Sequence, residues 1–216
     1  MTANPDAWEN HYTKGKSILT YPDENLVRLL KSFLVRKKGV SGLTAIDLGC
    51  GSGRHLKLLE DLGIRIFYGM DYSINALLLC KEQFSYTYVQ ADNKFLPIKN
   101  NSFDIVISWG SLHYCEKSCF NNIIEEIYRV IRRGGRFFGT LRSERDTYLK
   151  NGIDMGEGTW ITQLSDIKNS VVSFFSEDEL RSALNLFSRY KYGIMERTDL
   201  GDVNRVISHW FFWAEK

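Results

Sequence analysis

From residue 43 onward, short apolar runs alternate with segments of helical period. Residues 43–48 (LTAIDL) are apolar and bounded by glycines, which predicts a strand. Residues 54–62 carry Leu56, Leu59 and Leu62 at helical spacing, and Gly63 follows as a stop. Residues 64–70 repeat the strand pattern, and residues 73–84 read as a helix that Ser73 can cap. Residues 86–90 alternate and are rich in strand formers. Residues 103–109 (FDIVISW) are almost continuously apolar, as a strand buried on both faces should be. Residues 120–131 return to the helical period, Gly134 and Gly135 end it, and residues 136–141 read as strand again.

Five strands separated by helices predict an α/β fold, a mostly parallel sheet with helices on both faces. The tail differs. The stretch SEDEL at 176–180 is a capping box that opens a helix ending near residue 187. Residues 189–198 and 204–215 are β-rich and separated by a short turn, which predicts a terminal antiparallel pair. Residues 142–172 are polar and contain glycines, and a connection that long commonly has a binding role or moves. Ahead of the first strand, residues 6–12 and 24–35 have helical character, the second with Leu26, Leu29, Leu30, Phe33 and Leu34 on one side.

Composition narrows the class. At 216 residues, 44% hydrophobic and 25% charged, the chain is expected to form one domain (1–216) with a full core. The balance of 28 basic and 26 acidic residues gives a net charge of +2, so a nucleic-acid partner is not expected. The N-terminus lacks the basic start and apolar run of a signal peptide, and no stretch approaches a membrane span. The four cysteines show neither metal spacing nor disulfide-scaffold density, so no metal is expected and a cytoplasmic location with reduced thiols is.

The chemistry begins at Asp47-Leu-Gly-Cys-Gly-Ser-Gly-Arg54, which closes one strand and opens a helix. Gly49, Gly51 and Gly53 let a ligand approach the backbone, but their spacing departs from the dinucleotide fingerprint. Asp47, at the strand end, would repel a pyrophosphate and favour a cationic amine or sulfonium. Asp71 ends the next strand, where a carboxylate can accept both hydroxyls of a ribose; capping the following helix is its other reading. Asp92 ends the third strand on the same rim. With Asn93 it can meet the exocyclic amine of an adenine, while Met70, Tyr72 and Phe95 offer apolar surface, with Met70 and Phe95 equally suited to a core.

Four segments in order resemble the class I methyltransferases that depend on S-adenosylmethionine, of the small-molecule type 11 kind: IDLGCGSGR at 46–54, YGMDYS at 68–73, ADNKFLPIKNNSFDIVISWGSLHY at 91–114 and RVIRRGGRFF at 129–138. The resemblance implies a Rossmann-like three-layer sandwich whose seven-stranded sheet has the order 3-2-1-4-5-7-6 with strand 7 antiparallel. It implies that Asp47, Gly49 and Gly51 hold the methionine moiety, with Cys50 and Gly53 in the same cofactor loop. Asp71 would hold the ribose, Asp92 and the backbone of Asn93 the adenine, and Trp109 and Gly110 the sulfonium end. Residues 1–40 would form a helical lid with Trp8, Tyr12 and Tyr21 as substrate-side candidates. Residues 142–172 would form a substrate-side insertion offering Arg142, Tyr148 and Trp160, and His113 and Tyr114 would follow the fourth strand on the binding rim. His113 is the candidate general base, packing or capping being its plainer role.

The implied reaction is methyl transfer to a small-molecule acceptor by in-line displacement. The alternatives are a protein or RNA methyltransferase, and a cofactor-binding subunit without activity. The glycine spacing and Asp47 disfavour a nicotinamide oxidoreductase. A homo-oligomer is compatible with all of this.

Overall fold

A computed structural model describes residues 5–15 and 18–216. Two helices, α1 (Pro5–Thr13) and α2 (Glu24–Leu34), precede the first strand, β1 (Thr44–Leu48). Strand and helix then alternate through α3 (Arg54–Asp61), β2 (Ile66–Asp71), α4 (Ile74–Gln83), β3 (Thr87–Gln90), β4 (Phe103–Ser108), α5 (Lys117–Val130) and β5 (Ile131–Ser143). Three short strands follow, β6 (Gly152–Asp154), β7 (Thr159–Thr162) and β8 (Val171–Phe175). The chain closes with α6 (Glu177–Leu184), β9 (Arg189–Asp199) and β10 (Asp202–Glu215).

β3, β2, β1, β4 and β5 lie side by side and parallel. β10 runs antiparallel along β5, and β9 antiparallel along β10. The main sheet therefore has the order 3-2-1-4-5-10-9, which is the expected order with the terminal pair in its expected place. Alternation along each strand divides the core between the two faces. Ile46, Val106 and Phe137 join α5 and α6 on one side, whereas Ala45, Ile105 and Phe138 join α2, α3 and α4 on the other.

The segment 142–172, expected as a long irregular connection, instead contains β6, β7 and the start of β8. Arg142 pairs with His209 of β10 and also with Phe174 of β8, so those two strands occupy opposite edges of β5. β8 thus continues the sheet beyond the last residue of β4, and β7 and β6 extend it as an antiparallel hairpin. All five residues of β8 are buried. Among the described residues, no helix is long and apolar enough to cross a membrane.

Candidate active site

Parallel strands that leave a sheet in the same direction bring their carboxyl ends to one rim, where ligands bind in open α/β sheets. The rim here is built from the ends of β1, β2, β3 and β4. Asp47 sits one residue from the end of β1, beside Gly69 and Ile107 in register, and is fully buried. Neither of its carboxylate oxygens has a hydrogen-bond partner among the described residues; Nδ1 of His55 is the nearest cation-forming group, at 3.6 Å. A buried carboxylate left this way is costly and calls for a positive or hydrogen-donating guest.

Of the five amides in the glycine loop 49–53, four are already engaged. Gly49 and Cys50 both donate to the carbonyl of Met70, Gly53 donates to the carbonyl of Cys50, and Gly51 donates to Oδ2 of Asp71 at 2.9 Å. A diphosphate needs such donors free. The loop suits a guest that brings positive charge.

Asp71 is half-buried at the end of β2. Burial pushes its carboxyl up to about 6; the amides of Ser73 and Gly51 oppose that rise, and the negative charges of Asp47 and Glu9 add to it. Ser73 does cap α4, as expected, through its hydroxyl on the amide of Ala76. Asp92 follows β3, with Oδ1 accepting the amide of Lys94 at 2.9 Å and Oδ2 lying 3.7 Å from the Lys94 ammonium.

Asp71 and Asp92 line one cavity of about 400 Å³, together with Gly49, Tyr72, Ala91, Asn93, Lys94 and Gly110. Trp8 and Tyr12 of α1 and Ser111, Leu112, Tyr114, Cys115 and Ile123 complete its wall. The size falls within the usual range for a small-ligand site. Ser111, Lys94, Leu112, Cys115 and Ile123 were not singled out in the sequence. Ser111 packs against Gly49 and donates to the carbonyl of Leu48, which fixes the turn after β4. Ile123 lies in the apolar stripe of α5, so its period reads as core alone.

Several candidates lie elsewhere. Met70 is fully buried in the core, and Phe95 is 76% exposed and away from the cavity, so of the three apolar candidates Tyr72 alone reaches it. The ring of Trp109 packs in the apolar cluster that contains Leu30 and Phe138; Gly110, not Trp109, faces the cavity. Cys50 turns its thiol into the same cluster. Gly53 shapes the fold rather than the cavity: a β-carbon there would meet the Cys80 sulfur at 2.4 Å.

On the acceptor side, Trp8 packs edge-on to Tyr114 with ring centres 4.6 Å apart. Tyr12 lies over the glycine loop; burial, and next the charge of Asp71, push its phenol well above the ordinary value, so it remains a neutral hydroxyl. Tyr21 is 83% exposed, and its backbone carbonyl accepts from Arg54. Arg142 is buried, ion-paired with Asp146 at 2.5 Å and in contact with Tyr114 of the cavity wall, while its Nε has no hydrogen-bond partner among the described residues. Tyr148 packs near Trp8 and Tyr114 but is covered by the Arg205 guanidinium at 4.2 Å. Trp160 lines a separate, charged cleft with Lys117, Lys150 and Glu157.

His113 is buried, lies off the cavity wall, and has no hydrogen-bond partner on either ring nitrogen among the described residues. Burial pushes its pKa far below the ordinary value, and the charge of Arg142 adds to that. His209, whose ring centre is 5.8 Å away, is pushed down to about 2, mainly by burial. A group that resists protonation this strongly is poorly suited to accept a proton as a base.

Residues 46–139, which contain this whole rim, match the family described as a methyltransferase domain. The chain thus carries a methyltransferase domain over those residues, and the cofactor of such domains is S-adenosylmethionine. It is 31% identical over 174 residues to the uncharacterized protein MJ1252 of Methanocaldococcus jannaschii, covering 73% of this chain and 66% of that one. It is 35% identical over 124 residues to a malonyl-[acyl-carrier protein] O-methyltransferase of Buchnera aphidicola, covering 56% of this chain and 49% of that one. The chain thus spans about two thirds and about half of these two curated relatives. A crystal structure of an S-adenosylmethionine-dependent methyltransferase from Mesorhizobium loti shares the fold, with a TM-score of 0.66 and 21% identity over 86% of this chain and 96% of that one.

The cofactor of the family suits the residues present. The unpartnered Asp47 carboxylate suits its positive charges, and the loop, with four of its five amides engaged, lacks the row of free donors that a diphosphate needs.

Proposed function

We propose that this protein transfers the methyl group of S-adenosylmethionine to a small-molecule acceptor. The observation that carries the reading is the buried carboxylate of Asp47, without a hydrogen-bond partner among the described residues, beside a loop with four of its five amides engaged. Asp47 would offset the cationic end of the cofactor, Asp71 would accept the ribose hydroxyls, and Asp92 with Asn93 would meet the adenine beside Tyr72. When bound, S-adenosylmethionine supplies a methyl already activated on sulfonium, so that alignment with the nucleophile is the main requirement.

Of the expected lid, residues 1–40, positions 1–4 and 16–17 lie outside the described residues, and α1 serves in this reading as the lid. Trp8 and Tyr12 are the lid residues on the cavity, and Trp8 with Tyr114 narrows the acceptor side. Residues 142–172 back that wall through Leu149 and Ile167, which form an apolar cluster beneath Trp8 and Tyr114. A cavity of this size favours a compact acceptor over a folded macromolecule. Neutral His113 leaves alignment, rather than proton removal by that ring, as the source of rate.

Calorimetric titration with S-adenosylhomocysteine and with NAD tests the cofactor. Tight binding of the first is expected, and tighter binding of NAD would overturn the reading. Incubation with S-adenosylmethionine and a fractionated cell extract tests the acceptor. Production of S-adenosylhomocysteine with the low-mass fraction is expected, and turnover confined to the protein or RNA fraction would replace the small-molecule reading.

A further inference from the structure

A helix exposes its first amides without internal partners, and these must be satisfied locally, by water, or by another part of the chain. In α4 the task is divided among three residues. Asp71 accepts the amide of Ser73 through Oδ1 at 2.9 Å, and Ser73 accepts the amide of Ala76 at 3.1 Å. The two amides between them, of Ile74 and Asn75, are both taken by the carboxylate of Glu9, at 2.8 and 3.1 Å. Glu9 also accepts the hydroxyl of Ser73 at 2.9 Å and the side-chain amide of Asn75 at 2.7 Å. The cap of α4 is therefore completed from α1, more than sixty positions earlier in sequence.

The placement has a consequence for the cavity. Trp8 precedes Glu9 and meets Tyr114; Tyr12 is three residues on and brings its hydroxyl over Gly51. The four hydrogen bonds of Glu9 thereby set the register of the helix that carries both aromatic walls. They also share their anchor with Asp71, whose Oδ2 binds the Gly51 amide. Burial raises the Glu9 carboxyl, but the amides of Ile74 and Asn75 and the hydroxyl of Ser73 outweigh it and hold the group below its ordinary value, so the ionised form is the one held. A carboxylate at a helix N-terminus also gains from the helix dipole.

We propose that Glu9 is a positioning residue for cofactor retention, latching α1 to the N-terminus of α4 so that Trp8 and Tyr12 close over bound S-adenosylmethionine. The proposal rests on the cofactor reading above. The latch must release for the cofactor to leave, so its strength sets the dissociation rate more than the association rate.

Stopped-flow and calorimetric measurement of S-adenosylhomocysteine binding to the full chain tests this, using the wild type, Glu9→Ala and Glu9→Gln. Glutamine would turn donor atoms toward amides that need acceptors, so both variants are expected to bind at least tenfold more weakly. The loss should lie in faster dissociation, with association unchanged or faster and one site per chain retained. A merely structural contact would instead lower association or the fraction of competent sites and leave dissociation unmoved, and that result overturns the proposal. So does an affinity within threefold of wild type. Asn75→Ala approaches the same link from α4 and guards against poor folding of the Glu9 variants. It should speed dissociation by a smaller factor, and unchanged dissociation in that variant counts against the latch. Absence of binding by the wild type would refute the cofactor reading itself.

Discussion

Tyr12 and Gly51 meet so closely that a β-carbon on the glycine would lie 2.7 Å from the tyrosine hydroxyl. Gly51 also has φ +53°, in the left-handed region that costs other residues about 1 kcal/mol. Gly51→Ala is therefore expected to lower the melting temperature and to weaken S-adenosylhomocysteine binding at least tenfold. Adding Tyr12→Phe removes the nearest atom and leaves the ring carbon at 3.6 Å, an ordinary contact. Part of the lost stability should return in the double variant, which thermal melts can measure; equal losses in single and double variants would show that the clash is not the cause.

Asp47 exchanges stability for binding. Its charge is buried without a hydrogen-bond partner among the described residues, so Asp47→Asn should leave the melting temperature of the free protein unchanged or raise it. The same change should cost tenfold or more in cofactor affinity. Parallel melts and calorimetry would separate the two effects, and a large fall in melting temperature would mean that the carboxylate stabilises the free fold.

Asp71 gives a pH dependence with a definite sign. Its carboxyl is pushed up to about 6 in the fold, mainly by burial, from an ordinary 3.8. Between those values the folded form binds more protons than the unfolded chain, so this group's contribution to stability falls as pH rises from about 4 to about 6. Cofactor affinity should move the other way, rising through about pH 6 as the carboxylate that accepts the ribose hydroxyls forms. Asp71→Asn should flatten both profiles, as chemical denaturation and titration at pH 5 and pH 7 would reveal.

Arg142 is expected to act mainly on the fold, although it also reaches Tyr114 of the cavity wall. Its partner Asp146 is fully buried and also accepts the amides of Leu149 and Ser208. Arg142→Met would strand that charge and cost roughly 3 kcal/mol, the scale seen when one member of a buried pair is removed. Denaturant unfolding would register the loss, while S-adenosylhomocysteine affinity of the folded protein should change less than threefold. A selective loss of affinity would instead put Arg142 in the binding machinery.

The strand-end carboxylates were legible because a parallel sheet carries its strand ends to one rim, wherever the rest of the chain goes. Asp71 and Asp92 reach one cavity for that reason, whereas Asp47, fully buried near the end of β1, is not among its lining residues. Side-chain direction was less legible. Trp109 adjoins the rim in sequence, but its ring turns into the core beside Phe138, while its neighbour Gly110 faces the cavity. The N-terminal aromatics divided similarly. Tyr12 rides on α1 over the glycine loop, whereas Tyr21 lies past that helix and faces solvent.

By itself the sequence determined the alternation of strand and helix, the sheet order through its family motifs, and the acidic rim, because periodicity and strand ends are local properties of a chain. Tertiary structure alone decided that Glu9 completes the cap of α4, that Asp146 claims Arg142, and that β8 extends the sheet beyond β4. Each of these depends on which amides, charges or strand edges the fold leaves unpaired, and that balance exists only after distant segments have met.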